Sequence, residues 1–281
     1  MSDKADIFFE SYNRAVENGY NKMFESSTTE EILRGETEEK QEFINEEIIK
    51  WENLIIEALD RMTPKEYINR LGFDHMFEFF NVGARICDHD LPDIFIERLA
   101  SFGNDSVNRL LDYVTVCSTD NDEEIFPKIM AVRVLGQWKN DGSAAALIKT
   151  LLECNENNEL LSEEIVSALV SIGNPAVGLI LERIESVEKN GYIFGQLIEA
   201  LVSIGKANRT DEIFKCLKKF FLEASDKMLI AMYLGDYGDG RAVPLLRGYI
   251  EKNIAEIDKE TFIQVKDAIR RLGGKVDDLK I

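Results

Sequence analysis

A short pattern that recurs six times after residue 92 constrains the fold of this chain more than any other feature. Each copy is an apolar segment that ends in Gly, followed by a short polar turn and a second segment rich in Leu, Ile and Val. The copies end at Gly103, Gly136, Gly173, Gly205, Gly238 and Gly273. The intervals between these glycines are 33, 37, 32, 33 and 35 residues. Such a period is typical of stacked two-helix units, none of which can bury its apolar face alone. The pattern therefore predicts an all-α fold, an α-α superhelix or solenoid.

The sequence predicts three regions. Residues 1–62 form an acidic N-terminal helical extension, in which apolar residues at helical spacing predict two amphipathic helices. Residues 63–92 are interpreted as a diverged first helical pair, which begins where Thr63 caps a helix and Pro64 fits its first turn. This region contains a cluster of phenylalanines, Phe73, Phe77, Phe79 and Phe80. The cluster could form a docking groove for a peptide, but large aromatic residues at this spacing more often pack in the core. Residues 93–281 form the repeat array, and we expect the six glycines to lie in its turns.

The charge of the chain restricts its partners. The formal net charge is −19, and residues 1–60 carry 16 acidic against 6 basic side chains. Binding to DNA or to anionic membranes depends largely on Lys and Arg, so neither is expected as a partner. A protein partner remains open.

Cysteine usage and the N-terminus bear on localisation. The four cysteines are about 30 to 60 residues apart, without the paired spacing of a zinc site or a disulfide framework. The first residues are acidic where a signal peptide would be basic, and no apolar run is long enough to span a bilayer. We therefore expect a soluble, cytoplasmic protein.

No catalytic or cofactor-binding constellation is evident. Cys87-Asp88-His89-Asp90 joins a thiol, an imidazole and carboxylates, but a polar turn that caps the next helix explains it more simply than a metal site. The acidic run at 117–124 lacks the central Gly and terminal Glu of a calcium loop. The repeated glycines lack the spacing and the Lys of a phosphate loop. We expect a protein that is not an enzyme and that holds no metal or cofactor.

Three segments carry a resemblance to a known family. They are AVRVLGQWKNDGSAAALIKTLL, ALVSIGNPAVGLILERI and YLGDYGDGRAVPLLRGYI. These segments resemble HEAT repeats, in particular the HEAT-like units of proteins related to phycobilin lyases, over residues 93–273. The resemblance implies a right-handed superhelix of helical hairpins whose second helices line a concave surface that holds a partner. It implies no reaction, because this scaffold serves adaptors, inhibitors and a few enzymes.

Enzymes of that group fit the sequence less well. The resemblance to deoxyhypusine hydroxylase would require repeated His-Glu pairs, whereas here His75 precedes Met76 and His89 precedes Asp90. DNA glycosylases with such repeats would require a basic groove, which a net charge of −19 disfavours. A lyase or chaperone for a bilin chromophore remains an alternative. A second alternative is an inhibitor or immunity-type protein that covers a basic partner with its acidic N-terminal region.

If second helices line the concave face, their basic residues form a stripe. The candidate partner-binding residues are Arg109, Lys149, Arg183, Lys215, Lys218 and Arg247. Such a stripe would suit an acidic or phosphorylated partner. The alternative is a solvated helix face, since acidic residues are interleaved among the bases. The sequence thus predicts a non-enzymatic protein-interaction scaffold or adaptor.

Overall fold

The protein is all-α. The computed structural model describes residues 2–26, 38–87, 89–116, 122–189, 191–224 and 226–280. These residues form 15 α-helices and no β-strand, apart from an isolated bridge between Ile56 and Met62. The chain divides into two compact units, Met1–Ala131 (unit 1) and Val132–Ile281 (unit 2), and the boundary falls within a helix. In the described part of the chain, no helix has both the length and the apolar character needed to cross a bilayer.

Unit 1 joins the three regions that the sequence separated. Its helices are α1 (Ser2–Ser26), α2 (Glu38–Glu52), α3 (Pro64–Arg70), α4 (Phe73–Ile86), α5 (Asp93–Ala100), α6 (Asn104–Val116) and the first part of α7 (Asp122–Gln137). Helix α1 packs against both α2 and α4. The extension and the predicted diverged pair therefore share one compact unit with the start of the array.

An aromatic cluster forms the core of unit 1. The ring of Phe8 lies 5.2 Å from that of Trp51, and the ring of Phe9 lies 5.5 Å from that of Phe95. The indole N–H of Trp51 donates a hydrogen bond of 2.8 Å to Ser11 Oγ. Phe77, Phe79 and Phe80 of α4 are also buried, which favours the core over the groove interpretation. Burial of several large rings makes α1 an integral part of this core.

Helix α3 begins as the sequence indicates. The backbone N–H of Glu66 donates to Thr63 Oγ1 at 3.2 Å, and the backbone N–H of Thr63 donates to a Glu66 carboxylate oxygen at 3.1 Å. Pro64 occupies the first turn, where its missing N–H leaves no hydrogen bond unmade. This reciprocal capping box satisfies two backbone donors that would otherwise be unpaired.

Unit 2 consists of alternating helices. They are the end of α7, α8 (Ala144–Glu153), α9 (Glu159–Ile172), α10 (Asn174–Ile184), α11 (Tyr192–Ala207), α12 (Asp211–Glu223), α13 (Lys227–Tyr237), α14 (Val243–Asn253) and α15 (Lys259–Arg271). We call the odd-numbered ones first helices and the even-numbered ones second helices. First helices pack on one another in succession, α9 on α11, α11 on α13 and α13 on α15. The packing is thus mostly between helices close in sequence.

The six repeated glycines belong to two structural classes. Gly103, Gly173, Gly238 and Gly273 lie in turns with φ between +62° and +80°, a conformation that favours glycine. The expectation of a turn has to be corrected for Gly136 and Gly205, which are buried inside α7 and α11. The turn after α7 places Lys139 at φ +50° instead. The glycine that recurs in the sequence therefore occupies two kinds of structural position, a turn in some repeats and the interior of a helix in others.

The helical glycines permit close helix packing. A Cβ at Gly136 would lie 2.8 Å from both Cα and Cβ of Ala168 in α9. A Cβ at Gly205 would overlap the ring of Tyr237 in α13, and one at Gly235 would lie 3.2 Å from Cα of Ala268 in α15. Adjacent first helices approach closely because these positions have no side chain.

Candidate partner-binding groove on the second helices

Two of the six predicted site residues line the same groove. Lys149 of α8 and Arg183 of α10 lie on a groove of about 380 Å³. Its apolar lining consists of Ala145, Ile148, Leu152 and Leu179. We call this the α8–α10 groove. It exists because α8 and α10 pack side by side and bury residues such as Leu151 and Ile180, which leaves Lys149 and Arg183 on the exposed side.

The two cations of the groove are available for a partner. Lys149 is exposed, and no described residue forms an ion pair or hydrogen bond with it. Among the described residues, the carboxylate that forms an ion pair with Arg183 is that of its neighbour Glu182, at 3.9 Å, and both side chains are more than half exposed. Exposed contacts of this length contribute little.

Other cations of unit 2 are engaged within the fold. Lys219 donates to Glu185 at 2.7 Å. Arg241 pairs with Asp211 and Asp239, each at 2.7 Å, and stacks over the ring of Phe214 at 4.3 Å. Hydrogen bonds from Arg241 lower the pKa of both aspartates. Pairing within the chain thus distinguishes Lys219 and Arg241 from the cations of the groove, whereas Lys215 and Lys218 of α12 also form no ion pair with a described residue.

Arg247 belongs to the C-terminal tail, and this corrects its place in the predicted stripe. Its guanidinium donates to the carbonyl of Lys275 and to the carboxylate of Asp278, and a further oxygen, from Glu251, lies 3.5 Å away. The hydrogen bond to Asp278 raises the pKa of Arg247, while the same bond lowers the pKa of Asp278. Nearby, Lys266 donates to the carbonyl of Leu279 at 2.8 Å. Arg247 therefore holds the tail against α14.

The remaining stripe residues are not brought to the α8–α10 groove. Lys215 and Lys218 are exposed on α12, and neither lines this groove. Arg109 lies in unit 1, where its guanidinium is 6.0 Å from the ring centre of Phe77 and 5.9 Å from that of Tyr113. Of the predicted stripe, Lys149 and Arg183 are thus the two residues that line this groove.

A second depression adjoins the α8–α10 groove and was not predicted. It has a volume of about 520 Å³ and shares Leu152 with the groove. Its polar lining includes Asn155, Glu156 and Glu188, from the turns that follow α8 and α10, and Tyr192, the first residue of α11. These turns vary in length between repeats, so the repeat pattern gave no signal for them.

The first helices present a groove of different character. Between α9 and α11 a groove of about 420 Å³ is lined by Glu163, Ser167, Ser171, Gln196, Glu199 and Ser203, together with two valines. The first helices pack closely at glycines that leave no side chain between them. That the second helices line a concave surface, as the family resemblance implies, stays a prediction.

The sequence suggested two further sites in unit 1. His89 contacts the ring of Tyr20 at 5.6 Å, and Asp88 and residues 117–121 lie outside the described residues. Within the described part, no group of three or more His, Cys, Asp or Glu side chains could hold a metal ion. Within the acidic N-terminal region, α1 contributes one face to a buried core, and the binding of a basic partner by this region stays a prediction.

Comparisons with known proteins give no family assignment. No protein-family model, no curated protein and no solved structure matches the chain. Functional inference therefore rests on the residues and contacts described above.

Proposed function

We propose that this chain is a non-enzymatic protein-interaction scaffold, a solenoid of HEAT-like helical pairs that binds a protein partner on its second helices. One observation carries the proposal. Lys149 and Arg183, from consecutive second helices, flank an apolar groove and have no strong partner within the fold. Other cations, such as Lys219 and Arg241, are paired within the chain. The charges of Lys149 and Arg183 therefore remain available to an acidic group of a partner that covers the apolar lining.

The chemistry of the groove explains how a partner would bind. Burial of its apolar lining contributes about 25 cal/mol for each Å² removed from water. A carboxylate that reaches Lys149 or Arg183 adds a charge-assisted hydrogen bond, and such bonds become stronger as the partner excludes water. Arg is also enriched among residues that dominate binding energy at protein interfaces. Apolar contact supplies affinity, and the cations supply orientation.

Affinity capture with charge variants tests the proposal. Tagged wild-type protein, a Lys149→Glu/Arg183→Glu variant and a Lys215→Glu/Lys218→Glu control are incubated with a lysate of the source cells. The control makes the same change in net charge on exposed residues of α12, outside the groove. We expect at least one protein to be retained by the wild type and the control but not by the groove variant. Circular dichroism and thermal unfolding establish that all three are folded.

Two outcomes would contradict the proposal. If the groove variant retains every protein that the wild type retains, the groove is not the binding surface. If both variants lose the same proteins to the same degree, binding depends on overall charge or on a longer basic stripe, and the groove has no special role.

A further inference from the structure

We infer that the α8–α10 groove and the depression beside it bind one partner segment of fixed charge order. The segment has carboxylates at one end, apolar side chains in the middle and basic side chains at the other end. This inference rests on the proposed function, because it identifies the chemistry of the segment that the same surface would hold.

The acidic end of the segment is assigned by Lys149 and Arg183. Both side chains are exposed beside the groove, and the weak contact of Arg183 with Glu182 does not neutralise it. A planar guanidinium can bind a carboxylate through two parallel hydrogen bonds, and an adjacent ammonium adds a second positive charge. Anionic groups are therefore favoured at this end.

The apolar middle is assigned by the continuity of the two depressions. Leu152 lines both of them. Leu179 extends the apolar surface on the side of the cations, and Val187 and Ile193 extend it on the other side. With volumes of about 380 and 520 Å³, the two depressions are of the size that holds several side chains.

The basic end is assigned by the turns after α8 and α10. Glu156 and Glu188 are exposed there and line the second depression. Lys189, which follows Glu188, is engaged by Glu223. A cation is therefore favoured at this end and an anion is disfavoured.

The arrangement excludes a uniformly acidic segment as the best occupant. Such a segment would satisfy Lys149 and Arg183 but would place negative charge against Glu156 and Glu188. A uniformly basic segment would satisfy Glu156 and Glu188 but would place positive charge against Lys149 and Arg183. Complementary order at both ends gives specificity, because each wrong partner meets repulsion at one end.

Fluorescence anisotropy with synthetic peptides tests the charge order. The probes are fluorescein-labelled Asp-Asp-Leu-Leu-Ala-Leu-Leu-Lys-Lys, the same peptide in reversed order, and two peptides that carry Asp-Asp or Lys-Lys at both ends. The reversed probe is included because charge complementarity does not fix the chain direction. With the full-length protein, we expect one mixed peptide to bind about tenfold tighter than either uniformly charged peptide. This is the effect expected of several partly exposed charge pairs together.

Charge-swap variants should change which peptide binds most tightly, a result that loss of folding would not produce. Lys149→Glu/Arg183→Glu should shift the preference to the peptide with Lys at both ends, and Glu156→Lys/Glu188→Lys should shift it to the peptide with Asp at both ends. The Lys215→Glu/Lys218→Glu control should keep the wild-type order. The inference is overturned if the mixed peptides bind no better than the uniform ones, or if the swaps leave the order unchanged.

The outcomes separate this inference from the proposed function. If the peptide preferences follow the charge swaps but no captured protein depends on Lys149 and Arg183, the charge order stands and the scaffold proposal fails. If a captured protein depends on them but the peptides show no order, only the inference fails.

Discussion

Substitution of Gly136 by alanine tests the close packing of the first helices. A Cβ at this position would lie 2.8 Å from Cα and Cβ of Ala168, whereas carbon atoms in contact are normally about 3.5–4.0 Å apart. Because Ala168 Cα belongs to the backbone, it cannot move aside by a change of rotamer. Helices α7 and α9 would have to separate.

The magnitude follows from comparison with an unhindered glycine. Gly178 lies within α10, and a Cβ there meets no atom within 4 Å. Gly178→Ala should therefore stabilise the protein by about 0.5–1 kcal/mol through helix propensity. Gly136→Ala should gain at most the same stabilisation from helix propensity. In addition, overpacking against α9 should destabilise this variant by about 1–3 kcal/mol. We expect the free energies of unfolding of the two variants to differ by about 1–3 kcal/mol.

Urea unfolding followed by circular dichroism at 222 nm measures this difference. Both positions lie in unit 2, so the two variants are compared within the same compact unit. The midpoint should fall below that of the wild type for Gly136→Ala and rise above it for Gly178→Ala. A Gly136→Ala protein at least as stable as the Gly178→Ala protein would refute the close approach of α7 and α9.

Three other predictions follow from individual contacts. Tyr237→Phe removes two hydrogen bonds of 2.8 Å to the backbone of Thr210, and unfolding should show a loss of about 1–3 kcal/mol. Thr63→Ala removes a capping box and should cost about 0.5–2 kcal/mol, while unchanged stability would show that the cap is unimportant. Arg247 lowers the pKa of Asp278, so the stabilisation that this ion pair gives the tail is complete above the ordinary carboxyl pKa of about 3.9 and is lost as pH falls through the lowered value. Hydrogen-exchange protection of the tail should decline over that pH range in the wild type, whereas in Arg247→Ala it should start lower and change less with pH.

The sequence correctly predicts an all-α fold, because periodicity depends on burial. Apolar residues at helical spacing place the helices, and Thr63-Pro64 marks the start of α3. The two roles of glycine could not be separated. Gly173 and Gly205 follow the same ALVSI sequence, yet one lies in a turn and the other inside a helix. What distinguishes them is the neighbouring helix, which local sequence does not reveal.

The candidate site was only partly predictable for a similar reason. Helical spacing correctly places Lys149 and Arg183 on exposed faces of second helices. It could not show that Arg247 is held by the tail, because Asp278 is 31 residues away in sequence. Nor could composition show that the acidic N-terminal region contributes α1 to a buried core, since net charge does not distinguish the two faces of a helix.

Site-specific photo-crosslinking tests most directly the claim that a partner binds the second helices. Benzoylphenylalanine is introduced at Ala145, which is exposed in the α8–α10 groove, or at Ser167, which is exposed in the groove between first helices. After irradiation in a lysate of the source cells, we expect a discrete cross-linked species from position 145 and none from position 167. The Lys149→Glu/Arg183→Glu background should abolish it. Cross-linking from position 167 alone, or from neither position, would contradict the claim.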